Sequence, residues 1–148
     1  FKRLNIKVCK IRTGLVLSKK GGMLKELLKP IKLGVGSAFG SGKQWHSWIH
    51  LHDLVHLYYF AIQHQWEGVY NATAPNPVDN HELIKKIAKT IEKPFFMPNV
   101  PEFLLKLMLG EMHILLVASQ NISSQKAQDN GFVFKFRTLD KALDDLFR

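Results

Sequence analysis

Residues 6–17 read Ile-Lys-Val-Cys-Lys-Ile-Arg-Thr-Gly-Leu-Val-Leu. The run is rich in β-branched side chains and contains no proline, which predicts a strand with Ile6 and Val8 on one side. From Ile11 onward it is nearly continuously apolar apart from Arg12, Thr13 and Gly14. That pattern suits a buried parallel strand whose carboxyl end opens onto a crevice. Gly14, at that end, would let a ligand or another backbone approach closely. The remaining chain supplies helices at 23–29, 54–65, 80–92, 123–130 and 139–147. Short strands fall between them at 44–50, 68–73 and 132–136. Strands alternating with helices predict an α/β (mixed α+β) fold.

Local punctuation sharpens the boundaries. Gly21-Gly22 breaks the chain before the first helix, and Pro30 is expected to end it. Asp79 or Asn80 caps the helix carrying Leu83, Ile84, Ile87, Ala88 and Ile91, and Thr138 caps the last. An extended, proline-stiffened arm covers 93–101, and two apolar helices are expected at 101–109 and 111–119. The glycine-rich stretch from Leu33 to Lys43 predicts a mobile or tightly turning loop, a lid or turn beside a pocket. It is neither of the phosphate-binding motifs it superficially suggests. Phe39 stands where a dinucleotide fingerprint needs its third glycine, and a strand rather than a helix follows. A P-loop would need glycine at 37 and Ser or Thr at 44, where the chain has Ser37 and Gln44.

The densest set of chemically capable side chains is Gln44-Trp45-His46-Ser47-Trp48-Ile49-His50-Leu51-His52-Asp53. Strand alternation places Trp45, Ser47 and Ile49 on one side and His46, Trp48 and His50 on the other. Asp53 is expected to open the following helix by accepting free amide hydrogens. Leu54, Leu57, Tyr58, Ala61 and Ile62 would form that helix's apolar stripe. His46, His50 and His52 have no cysteine partners, and a strand holds His46 and His50 well apart, so no metal site is expected.

Composition excludes several classes. A hydrophobic fraction of 46% and a charged fraction of 22% belong to a globular chain. The single cysteine, Cys9, allows no intramolecular disulfide and fits a reducing, cytoplasmic setting. No signal peptide or membrane span is read, and a chain that starts on Phe1 without methionine is expected to be a fragment. The net charge of +9 is concentrated in residues 1–43, with eleven basic side chains against the one acid Glu26. These lysines lack the aromatic interleaving of a nucleic-acid platform. A solvated basic surface is the favoured reading over a nucleic-acid or membrane partner.

Several segments together resemble one family. They are residues 11–17, residues 40–54 with Ser47-Trp48-Ile49-His50 and Asp53, and residues 70–78 with Asn71-Ala72 and Pro75-Asn76-Pro77. Leu109-Gly110-Glu111-Met112, Ala118-Ser119-Gln120 and Gly131-Phe132-Val133-Phe134 complete the set. The chain resembles the C-terminal half of the atypical extended short-chain dehydrogenase/reductases. This is a nucleoside-diphosphate-sugar epimerase-like family that ends in a domain of unknown function, and its members are often labelled cell-division inhibitor.

The resemblance implies one unit over 1–148. Residual Rossmann strands would lie at 1–18 and 68–73, a substrate-binding lobe at 19–67 and 74–94, and the family's C-terminal segment at 95–148. It implies NAD(P) for the intact protein, with Thr13 and Gly14 at the strand end that approaches the nicotinamide. Trp45, Ser47, Trp48, His50 and Asn71 would line the substrate pocket, for a small molecule of nucleotide-sugar type. The family's glycine fingerprint and Tyr-x-x-x-Lys pair do not occur here. Tyr58, Tyr59 and Tyr70 are followed four residues later by Ile62, Gln63 and Ala74, so no catalytic residue is assigned. The chain is expected to bind no cofactor and to be inactive alone. A homo-oligomer is expected, and the alternative function is a non-enzymatic module that self-associates through an exposed sheet edge and apolar helices.

Overall fold

The computed structural model describes residues 7–96, 98–101, 103, 106–107 and 118–148. The helices expected at 101–109 and 111–119 lie largely outside the described residues. The observed architecture is mixed α/β, as the alternating pattern predicts. Its elements in chain order are β1 (Cys9–Thr13), β2 (Leu15–Leu17), α1 (Met23–Lys32), β3 (Trp45–His46), β4 (Trp48–His50) and α2 (Leu51–Gln63). There follow β5 (Gly68–Ala72), β6 (Val78–Asp79), α3 (Asn80–Thr90), α4 (Gln125–Asp129) and α5 (Leu139–Phe147).

The strand expected at 6–17 is parallel, but it changes partner midway. β1 pairs with β5, from Cys9 opposite Gly68 to Thr13 opposite Ala72. β2 pairs with β4, from Leu15 opposite Trp48 to Leu17 opposite His50. Gly14 is the joint: its N–H donates to the Ala72 carbonyl at 3.1 Å, and the next amide, Leu15, donates to the Ser47 carbonyl at 2.8 Å. A Cβ on Gly14 would lie 2.2 Å from the Ser47 carbonyl oxygen and 2.7 Å from Thr73 Cγ2. Glycine is required there because two backbones meet, not because the turn needs an unusual φ.

The strand expected at 44–50 is likewise two strands. β3 runs antiparallel to β6, and at Ser47 the chain leaves that pair to join β2. The local alternation was continuous, but the hydrogen-bonding partner changes, and no local pattern encodes that. β4 is buried throughout and separates two cores. Trp48 faces the first, formed by α1, α3, α5, Leu17, Phe39, Val78 and Phe136. Ile49 faces the second, with Leu57, Ala61, Trp66, Tyr70, Phe132 and Phe134.

Three further expectations are corrected. α1 runs through Pro30 to Lys32. Proline there forfeits one backbone bond near the helix end. Ile31, 1% exposed, joins Leu24, Leu27 and Leu28 in the core, and that burial favours continuing the helix. The glycine-rich stretch is a packed turn rather than a lid. Ser37, Ala38 and Phe39 are buried, the Phe39 amide donates to Asn80 Oδ1 at 2.7 Å, and Gln44 Nε2 donates to the Phe39 carbonyl at 2.9 Å. Gly42, at φ +72°, accepts from the His81 amide at 2.9 Å. Residues 132–136 keep their alternation, with Phe132, Phe134 and Phe136 buried and Val133 and Lys135 exposed, but they form no strand.

Asp53 explains that last difference and is itself a correction. α2 begins at Leu51, and its N-cap is His50, whose Nδ1 accepts from the His52 amide at 3.1 Å. Asp53 lies inside the first turn and is 1% exposed. Its carboxylate accepts from the amides of Lys135 at 3.0 Å and Phe136 at 2.9 Å. A charged acceptor thus takes the place of a neighbouring strand where the chain passes from the second core to the first.

Candidate functional site

The chain's chemistry-bearing residues converge where β1 ends. A cleft of about 400 Å³ is lined there by Thr13, Gly14, Gly22, Met23, Trp45, His46, Ser47, Ala118 and Gln120, with Leu15 and Val16. Its walls are fastened by backbone. The Trp45 amide donates to Ser119 Oγ at 3.1 Å, and the Gln120 amide donates to the Trp45 carbonyl at 2.9 Å. Ser47 Oγ donates to the Gln120 carbonyl and accepts from the Ile122 amide, both at 2.8 Å. The Ser47 hydroxyl is therefore already engaged on both sides, and it shapes the wall rather than offering a free nucleophile. Trp45, 41% exposed, is the large aromatic surface left open to a ligand.

Of the expected site residues, the structure brings together Thr13, Gly14, Trp45 and Ser47 and places the other three elsewhere. Trp48 is fully buried in the first core and donates from Nε1 to the Asn76 carbonyl at 2.9 Å. His50 is the buried cap of α2, with its ring 4.0 Å from that of Phe136 and Nε2 3.4 Å from the Asp145 carboxylate. Asn71 donates to the Ser123 carbonyl at 2.9 Å and anchors the segment leading into α4. For Trp48 and His50 the break at Ser47 causes this division, because within residues 45–50 only those up to Ser47 line the cleft.

His46 and Gln120 are the residues that sequence reasoning did not assign to the pocket. His46 is buried on the cleft floor, with Nε2 3.2 Å from Asn80 Nδ2. Because Asn80 Oδ1 accepts from the Phe39 amide, its NH₂ group is the end that faces the histidine. Nε2 then accepts, and the imidazole is neutral with its hydrogen on Nδ1. Burial lowers the His46 pKa, partly opposed by the Asp79 carboxylate. His46 was legible as an unusual residue between two tryptophans. Gln120 carries no local signal, since it reaches the cleft only through hydrogen bonds spanning more than seventy residues.

In the glycine-rich stretch Gly36 to Phe39 and Gly42 are buried, while Leu33, Val35, Ser41 and Lys43 are exposed. Among the described residues no group of three or more His, Cys, Asp or Glu could hold a metal ion. No helix among the described residues is long and apolar enough to cross a membrane.

Comparison with known proteins gives a consistent picture. Residues 100–146 match the family model described as a domain of unknown function, DUF1731. The chain is 39% identical over 140 residues to the chloroplastic epimerase family protein SDR39U1 homolog of Arabidopsis thaliana, covering 94% of this chain and 40% of that protein. It is 38% identical to an epimerase family protein of Staphylococcus epidermidis, covering all of this chain and 50% of that one. Among solved structures it is similar to human epimerase family protein SDR39U1 (isoform 2) with NADPH. That match has a TM-score of 0.87 and 28% identity, over 95% of this chain and 48% of that one. The chain therefore spans about half the length of these relatives.

Proposed function

We propose that this chain, which belongs to the epimerase family, is the substrate-binding portion of an NAD(P)-dependent epimerase or oxidoreductase. The observation that carries the reading is the cleft at the end of β1, where Thr13 and Gly14 meet Trp45 and Ser47. Ligands of open α/β sheets bind beyond the carboxyl ends of the strands. In the intact protein the nicotinamide would approach the Thr13–Gly14 edge and supply hydride chemistry. Trp45 would lie against an apolar face of the substrate, neutral His46 would offer its Nδ1 hydrogen, and Ser47 would hold the wall in place. A nucleotide sugar is the substrate class that the solved relatives of this fold favour.

The same residues support inactivity alone. The chain has no Tyr-x-x-x-Lys pair, Tyr70 is buried against Trp66, and no glycine fingerprint cradles a diphosphate. Intrinsic fluorescence tests the binding half of the proposal. Titration with nucleotide sugars is expected to change tryptophan emission saturably, and Trp45→Phe is expected to remove most of that change. An unchanged response in Trp45→Phe would reject the cleft as the binding site. Turnover of a sugar nucleotide with NADPH by this chain alone would overturn the reading of an incomplete site.

A further inference from the structure

The antiparallel pair β3–β6 sets His46 opposite Val78. Asn80 follows Val78 by two positions, which brings it to the same side as His46. Its side chain is buried and held at both ends. Oδ1 accepts from the Phe39 amide at 2.7 Å, and Nδ2 lies 3.2 Å from His46 Nε2. The surrounding backbone is fixed as well. The Asn80 amide donates to the Gln44 carbonyl and the His81 amide to the Gly42 carbonyl, both at 2.9 Å. The Phe39 carbonyl accepts from Gln44 Nε2 at 2.9 Å. A backbone N–H can only donate, so turning the Asn80 amide over would set two donors face to face and leave the Phe39 N–H buried without an acceptor. The packed glycine-rich turn therefore dictates which end of Asn80 meets the histidine.

The other ring nitrogen, Nδ1, has no hydrogen-bond partner among the described residues. The buried side-chain atoms left unpartnered among them are His50 Nε2 and His52 Nδ1, so His46 Nδ1 is not sealed in the interior. It opens to the cleft that His46 lines beside Trp45. A neutral imidazole in water favours its hydrogen on Nε2, and here Nε2 is taken by a donor, so packing imposes the other tautomer. We infer that Asn80 is a positioning residue: it makes His46 a fixed hydrogen-bond donor, so that the cleft selects a ligand by an oxygen that accepts, a carbonyl or hydroxyl, and rejects an ammonium group at that point. The Ser47 hydroxyl cannot take this part, since both its partners are protein backbone. The assignment of the acceptor to a ligand rests on the cleft reading above. The tautomer does not, and it is measured without ligand.

Heteronuclear NMR of the imidazole nitrogens tests the first half on the parent chain. His46 is expected to carry its hydrogen on Nδ1 at neutral pH, and a hydrogen on Nε2 overturns the inference whether or not any variant folds. Asn80→Asp then inverts the device. The new carboxylate still accepts from the Phe39 amide, but it turns an acceptor toward Nε2, so the neutral ring is expected to carry its hydrogen there and to face the cleft with a lone pair. The binding probe is UDP-glucose, followed by tryptophan emission. The charged groups that bear on His46 in the variant are the new carboxylate and Asp79 on β6, and both favour a proton on the pair at low pH. At about pH 9 the variant should bind at least about tenfold more weakly than the parent, and at about pH 6, where Nδ1–H is restored, it should come within about threefold of it. A loss that is equal at both pH values would show a purely structural role and overturn the inference. So would a parent in which saturating UDP-glucose changes Trp45 emission but leaves the His46 Nδ1 resonance unmoved. No emission change in the parent rejects the cleft reading and with it the ligand half of this inference, while the ligand-free tautomer still decides the role of Asn80.

Discussion

α2 and α3 are helices of similar length in one fold, and they meet solvent differently. On α3, Leu83, Ile84, Ile87 and Ala88 face the core, while His81, Lys85 and Lys89 face water. Lys86 ties the helix to Asp140 of α5 at 2.7 Å. On α2 the inner side is packed and the outer side carries Val55, Tyr58, Tyr59 and Ile62. α3 has all its apolar surface satisfied within this chain. α2 does not: its outer side stays exposed among the described residues.

Mutations can break or sharpen that contrast. The largest effect is expected at the inner face of α3, where Leu83→Ala should cost about 3 kcal/mol in urea unfolding, the usual range for a fully buried leucine. A loss below about 1 kcal/mol would mean that the first core is loosely packed. Next is Asp53→Asn on the inner face of α2, expected to cost about 2 kcal/mol. It weakens two charge-assisted bonds to the Lys135 and Phe136 amides. Faster hydrogen exchange at those two amides should accompany the loss. Unchanged exchange would show that Asp53 does not hold the C-terminal segment.

Acid should separate the two regions further. Burial is the first cause lowering the pKa of both His46 and His50, so the unfolded chain binds protons more readily than the native one. Their stability contribution is therefore complete above the ordinary histidine value of about 6.5 and is lost as pH falls below it. The urea midpoint should drop between pH 7.5 and 5.5, and His46→Gln should flatten that dependence. A midpoint that rises on acidification would contradict the neutral assignment. The smallest stability effect is expected on the outer face of α2, where Ile62→Lys should stay within about 0.5 kcal/mol of the parent. A cost comparable to that of Leu83→Ala would show that the face is covered within this chain.

Helical elements were the most legible in the sequence. The bounds of α5, the Asp79 cap of α3 with its 2.7 Å bond from the Glu82 amide, and the inward face of α3 all follow from short-range spacing. So does the alternation of Phe132, Phe134 and Phe136. The site was legible only in part. Trp45 and Ser47 line the cleft, but so does His46, which strand alternation put on the other side, and Ser47 lies between two strands rather than in one. Trp48 and His50 were drawn into the pocket because a continuous alternating run does not reveal that its partner changes at Ser47.

The sequence by itself therefore determined which residues turn inward and which segments are helical or extended, because both follow from periods of two or about 3.6 residues. The tertiary structure alone decided which strand meets which, what Asp53 holds, and that Gln120 closes the cleft beside Trp45. Each depends on hydrogen bonds between segments more than thirty residues apart in the chain. Every backbone amide and carbonyl is chemically alike, so the choice among them is made by packing rather than by local pattern.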